Sequence, residues 1–318
     1  VGRPDDAAVV VVTQEDDLVA DLIAFELHRR GVSFFRFNTD TYPSSVSVTW
    51  DLAGAGRMET ADRVVALDGV QWAWCRRSGT GDDPAKRSSG VDGFIAQEAR
   101  SFLAGLWETM PWTWMNPPAA IQRAGNKLVQ LRAAVDAGFR VPATTVTNDA
   151  AAARAWRGKG RVIAKSVSGA GFDVGGLPHQ VFTQEVAPAA LTEPAVSPCP
   201  CIFQELVERG RDVRVTVAGS RAFATDIVVA GSEPVDWRAA PDDLLRYEPV
   251  TPPPGLVRRC VSLLGDLGLR YGAFDFIRTA SGDYVFLEVN PSGQWAWVEQ
   301  ATGQPITSAI VSALLGED

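Results

Sequence analysis

Blocks of apolar residues alternate with helical periodicity from the start of the chain, and their order predicts most of the fold. Residues 8–13 (AVVVVT) form a short continuous apolar run, the pattern of a buried strand. Residues 16–30 place apolar positions at helical spacing and stop at Gly31, and residues 32–37 read as a second strand. That order is a βαβ unit. Strand-like pieces follow at 46–52 and 69–76, then a helix around 93–109. After the paired prolines 117 and 118, residues 121–137 are expected as one helix, with Leu128, Leu131 and Val135 on one stripe and Gly138 as the stop. Residues 141–147 and 161–167 read as strands, and the four prolines of 187–200 separate them from another at 201–207. Residues 212–218 and 222–229 pair through Gly219-Ser220, 234–254 reads as a proline-rich loop over a site, and helices are expected at 257–265 and 305–315.

The chemistry concentrates in 271–297, YGAFDFIRTASGDYVFLEVNPSGQWAW. Two alternating runs, 273–278 and 284–290, flank the turn pair Ser281-Gly282. A two-residue turn sets Asp275 directly opposite Glu288; a four-residue turn makes them diagonal on one face, and a three-residue turn separates them. Glu288 and Asn290 share a face in any register, because strand side chains repeat every second residue. Like charges directly opposite are destabilising. Two carboxylates and an amide oxygen are hard ligands that suit Mg²⁺, which takes few protein groups and completes its shell with waters and phosphates. The acids of an exposed hairpin would simply face solvent, but Phe274, Phe276, Phe286 and Val289 make this hairpin too apolar for that.

Size and charge narrow the setting. A chain of 318 residues has room for two or three lobes. A formal charge of −8 argues against a nucleic-acid partner, since phosphate backbones need a basic surface. Cys75, Cys199, Cys201 and Cys260 are too scattered for a disulfide framework, and with only His28 and His179 beside them zinc or cysteine-nucleophile chemistry is disfavoured. No signal-like segment and no apolar run near the membrane-spanning length of about 20 residues is found, so a cytoplasmic location without a membrane partner is expected. The first strand–helix turn, 13–17 (TQEDD), has three acids and no glycine, which disqualifies it as a dinucleotide site.

Other residues gain meaning beside the acid pair. Lys165 ends an apolar run and precedes a segment, 168–176, with four glycines including Gly169 and Gly171. Such a loop lets backbone close over phosphates that the lysine touches, although it is not a P-loop. Lys127 falls in the first turn of its helix, where a cation is mildly unfavourable without a nearby anion; alone it reads as a solvated surface lysine. Glu205, with the backbone of Leu206 and Val207, ends a strand in a way that suits an adenine edge or a plain exposed terminus. Arg214, inside an apolar strand, needs an anionic partner, either a ligand or a local acid such as Asp212; Arg238 has the same choice beside Asp236. Arg76 and Arg77 either face an acidic substrate or solvate a strand end. Trp295 and Trp297 would share a face if extended, more often core than substrate platform.

Asn126-Lys127, Val141-Pro142-Ala143-Thr144, Ile163-Ala164-Lys165, 203–207 (FQELV), Asp212-Val213-Arg214 and 286–290 (FLEVN) together resemble an ATP-grasp ligase. Within that superfamily the chain most resembles the graspetide ligases, the microviridin-type ATP-grasp peptide maturases, through Trp74-Cys75-Arg76-Arg77, Met115-Asn116-Pro117-Pro118, Asp236-Trp237-Arg238 and 290–295 (NPSGQW). It departs from that family's pattern at Cys75, Ser78 and Leu206. The resemblance implies an α/β (α+β) architecture, a three-lobed ATP-grasp fold with an N-terminal βαβ pre-grasp domain, divided at 1–117, 118–200 and 201–318. It implies ATP held by Lys127, Lys165, Gly169 and Gly171 at the phosphates and by Glu205, Leu206 and Val207 at adenine. Asp275, Glu288 and Asn290 would hold Mg²⁺, two ions in all, with Arg214 and Arg238 catalytic and Arg76 and Arg77 facing substrate. The implied partner is a precursor peptide whose Asp or Glu side chains are activated and joined to Ser, Thr or Lys, its leader recognised near 172–200, by a homodimeric enzyme. Two alternatives remain: a ligase for free amino acids or protein glutamylation, and a non-catalytic ATP-binding regulator.

Overall fold

The computed structural model describes residues 7–53, 55–77, 90–156, 160–167, 172–174, 177–179, 182–208, 210–231 and 235–318. The strand Val9–Thr13 is wholly buried because its valines serve two cores. Val9 and Val11 pack with helices Leu18–Arg29 and Ile306–Leu315, while Val10 and Val12 pack under helix Gly90–Thr109. In the first sheet, all parallel, the order is Phe34–Asn38, Val9–Thr13, Trp72–Cys75, Thr113–Trp114. The closing helix of the chain therefore belongs to the core of the N-terminal lobe. Arg30 ties it there, donating to Ser308 O (2.8 Å), Ser312 Oγ (3.0 Å) and Glu317 Oε2 (2.7 Å). A small antiparallel sheet of Ser47–Trp50, Gly56–Glu59 and Val64–Ala66 completes this lobe.

Two further antiparallel sheets form the rest. The four-stranded one runs Gln184–Glu185, Val162–Ser166, Cys201–Glu205, Thr144–Thr147, with the hairpin Phe172–Val174 and Leu177–His179 separate from it. The five-stranded one runs Leu245–Val250, Arg221–Val229, Arg211–Ala218, Tyr271–Arg278, Tyr284–Asn290. One face of that sheet carries Val213, Val215, Phe274 and Phe286 into a core with helix Pro254–Asp266. On its other face Ala218 and Tyr271 pack with helix Ile306–Leu315, and Arg214 and Asp275 lie beyond that contact. The mixed α/β arrangement agrees with the expected fold class. Among the described residues no helix is long and apolar enough to cross a membrane.

Two expectations need correction. The single helix over 121–137 is two, Pro118–Ala124 and Lys127–Asp136, broken where Asn126 accepts from Leu128 N (2.9 Å) and caps the second. The buried residues of that helix are Gln130 and Ala134; of the expected stripe Leu131 packs against the core, whereas Leu128 and Val135 are exposed. Gln130 is buried because its amide is satisfied, donating to Ala124 O (2.6 Å) and accepting from Val289 N (3.1 Å). The proline-rich 234–254 is not all loop. It contains the strand Leu245–Val250, whose Pro249 is tolerated because it lies on an edge of the sheet.

Candidate functional site

The acid pair is in register. Asp275 is the direct partner of Glu288, and on its other side it pairs with Arg214 in strand Arg211–Ala218. The route to that register differs from the simple count. Thr279 N bonds Asp283 O (2.9 Å) and Gly282 sits at φ +87°, a three-residue turn with glycine in the left-handed region. That turn alone would set Leu287 opposite Asp275. The register shifts between Asp275 and Phe276, leaving Leu287 as the extra residue of a bulge and returning Glu288 to the acid face.

Cations converge on the pair. Lys127 Nζ and Arg238 Nη1 each lie 3.6 Å from Glu288, and Arg214 Nε lies 2.8 Å from Asp275 Oδ1 with its N–H off the line of the contact. Arg238 is also gripped by the buried Asp236 through Nε–Oδ1 (2.9 Å) and Nη2–Oδ2 (2.9 Å). Burial, reinforced by the facing Glu288, pushes the Asp275 carboxyl above its ordinary range despite Arg214. Burial opposes ionisation of Glu288 too, but Lys127, Arg238 and Lys165 outweigh it and hold that carboxyl below its ordinary range. Lys165, on strand Val162–Ser166, donates to Gln204 Oε1 (2.9 Å), and burial, with Lys127 and Arg238 nearby, brings it down to about 8.

Three connected spaces surround these groups. A cleft between the two antiparallel sheets is lined by Ile163, Glu205, Leu206, Val207 and Leu287. Leu206 spends its own N–H on Arg161 O (2.8 Å), so that N–H is not available to a base. A cavity of about 400 Å³ is lined by Lys127, Lys165, Arg238, Glu288, Asn290 and Ser292. Another, of about 490 Å³, brings Arg76 and Arg77 from the first lobe against Arg214, Arg238, Asn290 and Trp297. Arg76 is buried and ion-paired with Asp17, so an acid of the non-nucleotide turn serves to hold it, and Thr13 Oγ1 donates to the same carboxylate (2.6 Å). Cys75, beside it, is buried and pushed up to about 12, which keeps it a neutral thiol.

Some groups escaped the sequence reading. Trp295 and Trp297 are not extended: Trp295 precedes helix Ala296–Thr302 and is buried in the core, while Trp297 lines the guanidinium cavity. The Arg214 guanidinium sits 5.5 Å from the Trp297 ring, which Trp237 (5.6 Å) and Tyr247 (4.8 Å) brace from other sides. Only the doublet of tryptophans hinted at this. The partner of Arg214 is Asp275 rather than Asp212, because cross-strand register, not chain proximity, sets it. Gly169 and Gly171 lie outside the described residues.

The donor set fits Mg²⁺ in one particular way. Among the described residues no three His, Cys, Asp or Glu side chains cluster as a metal site. Two carboxylates remain, plus Asn290 Oδ1, which accepts from Ser292 N (2.9 Å) and keeps a second lone pair. So few protein ligands suit an ion that shares its shell with phosphate oxygens.

Two antiparallel sheets closing on a lysine-lined cleft, with an acid pair on one of them and a parallel α/β lobe in front, define an ATP-grasp fold. Residues 8–122 match the MvdD pre-ATP grasp domain. A Chryseobacterium gregarium RiPP-associated ATP-grasp ligase, solved with ADP and a leader and core peptide, superposes with a TM-score of 0.85 at 26% identity, over 98% of this chain and 97% of its own. The macrocyclase MdnB from Microcystis aeruginosa MRC gives 0.79 at 28% identity, over 97% and 99%. The ATP-grasp ligase PsnB, complexed with minimal precursor, Mg and ADP, gives 0.75 at 26%, over 100% and 99%. No curated protein matches. The chain thus resembles, along its whole length, the ATP-grasp ligases that act on ribosomally made peptides.

Proposed function

We propose that the protein is an ATP-dependent ligase that activates Asp or Glu side chains of a ribosomal precursor peptide and joins them to Ser or Thr hydroxyls or Lys amines. The observation that carries this reading is the ladder row Arg214–Asp275–Glu288, with Lys127 and Arg238 on Glu288, lying between a cleft and a guanidinium-lined cavity. The relatives named above, two of them with ADP and peptide bound, give the same direction.

Each residue has a task in this reaction. Ile163 and Leu287 sandwich the adenine, with Glu205 and Val207 at its edge, and Lys127 and Lys165 hold the phosphates. Asp275, Glu288 and Asn290 hold divalent cation, two ions in this reading, which neutralises the β- and γ-oxygens when bound. Arg214 and Arg238 orient a substrate carboxylate, and Arg76 and Arg77 draw the acidic peptide into the cavity. A carboxylate oxygen attacks the γ-phosphorus as the bond to the bridging oxygen breaks, giving an acyl phosphate and ADP. A hydroxyl or amine then attacks the acyl carbon, loses its proton, and expels phosphate. Residues 172–200 carry the leader recognition in this reading, and the enzyme works in the cytoplasm as a homodimer.

Glu288→Gln keeps the shape of the side chain and removes one of the two carboxylates. ADP release in the presence of acidic precursor peptide should fall to background in this variant while its circular dichroism spectrum stays that of wild type. Near-normal turnover would exclude Glu288 from the metal site.

A further inference from the structure

The phosphate-side cavity and the guanidinium-lined cavity share three described residues, Arg238, Asn290 and Ser292. A phosphoryl group passing from nucleotide to substrate carboxylate must cross between these spaces. Arg238 and Asn290 have tasks already. Ser292 does not, and its side-chain oxygen is buried with no hydrogen-bond partner among the described residues. A buried hydroxyl without a partner is costly, and its retention wants a reason.

The turn that bears Ser292 is held on both sides. Pro291 O accepts from the buried Asn116 amide (2.8 Å), and Gly293 O accepts from the Tyr271 hydroxyl (2.6 Å). Gly293 also has no room to change, since a Cβ there would sit 2.5 Å from Ala273 Cβ. Ser292 N is spent on Asn290 Oδ1. The hydroxyl is uncommitted, on a turn held at Pro291 O and Gly293 O. With the backbone of the turn held, only the side-chain torsion has to change for this donor to meet developing charge, so little has to reorganise as the reaction proceeds.

We propose that Ser292 is a catalytic hydrogen-bond donor of the ligase reaction, its hydroxyl turning about Cα–Cβ to donate to an oxygen of the phosphoryl group in transit. This rests on the ligase reading of the site. In the step concerned, the bond between γ-phosphorus and the bridging oxygen breaks with its electron pair leaving on ADP, and a carboxylate oxygen bonds to phosphorus. The hydroxyl keeps its proton throughout.

The test is calorimetric binding of Mg²⁺·ADP, alone and with aluminium fluoride as a mimic of the phosphoryl group in transit, to wild type and Ser292→Ala. The variant should bind ADP within about twofold of wild type and the aluminium fluoride complex at least about tenfold more weakly. Its melting temperature should not fall, since the hydroxyl holds nothing within the protein. Equal affinity for the aluminium fluoride complex overturns the role of Ser292 and leaves the nucleotide site standing. An equal loss for both ligands marks a structural role and overturns it too. Wild-type protein that binds no ADP overturns the ligase reading along with it.

Discussion

Replacing Asn116 by alanine should loosen the turn that carries Asn290 and Ser292 without touching either. Asn116 is buried at the end of the first lobe, and its amide is fully used. Nδ2 donates to Tyr271 O (2.9 Å) and Pro291 O (2.8 Å), while Oδ1 accepts from Arg270 N (2.9 Å) and Tyr271 N (3.0 Å). Alanine leaves these four backbone groups without the amide. An orphaned buried group costs about 1–3 kcal/mol, so even the low end sums to about 4 kcal/mol, close to the largest losses single substitutions produce. For a protein of this size that is a fall in melting temperature of roughly 6–10 °C. Asn116→Asp is the sharper control. It keeps the volume but turns two donors into a buried anion facing two carbonyl oxygens, and should cost at least as much. Differential scanning fluorimetry of both variants, with and without ADP, reads the effect. Either variant melting within about 2 °C of wild type would refute the account, because no arrangement of those four groups without a partner is that cheap.

The other two predictions concern the first helix, Leu18–Arg29, and the guanidinium cavity. Hydrogen bonds from Arg29, against partial burial and with Arg30 adding to the effect, pull Glu26 from 4.5 down to about 2. A carboxylate depressed on folding stabilises above its unfolded value and loses that contribution as pH falls through its folded one. Glu26→Gln should therefore cost about 2–3 kcal/mol at neutral pH, discounted for the exposed Arg29, and the gap to wild type in urea titrations should close between about pH 5 and pH 2; a gap independent of pH would refute it. Trp297→Leu removes the ring under Arg214, a contact worth about 0.5–2 kcal/mol, and should raise KM for an acidic peptide roughly two- to thirtyfold while KM for ATP stays put. An unchanged peptide KM would show that Arg214 needs no such support.

Much of the fold could be read from periodicity, and the misses have physical causes. Four consecutive valines announced a strand buried on both faces, because each face meets a different core. The helix break at Asn126 was hidden because Asn is tolerated inside helices as well as at caps, and the decision lies in its bonds to Leu128 N and Val129 N. Leu128 and Val135 misled because the packed face uses Gln130, a polar residue made compatible with burial by backbone partners on another element. Nothing in the spacing of a glutamine announces that. Strands Gly56–Glu59 and Val64–Ala66 were too short for any period to show.

The candidate site shows where such reading stops. Glu288 and Asn290 had to share a face, whatever the turn, since a spacing of two survives every register. Their position opposite Asp275 did not have to follow. The three-residue turn moves the pairing by one, and the bulge at Leu287 moves it back, so two irregularities cancel and the simple count ends on the right pair. The cancellation has a consequence that neither irregularity has alone. Successive strand residues normally point to opposite faces, so a regular strand facing its acid to the cleft would bury Leu287 under the sheet. At the bulge both Leu287 and Glu288 line the cleft, setting an apolar surface directly beside a carboxylate. A mixed ligand, part flat ring and part polyanion, needs those two chemistries a few ångströms apart. One extra residue in one strand supplies them from consecutive positions, at the one register shift along this ladder.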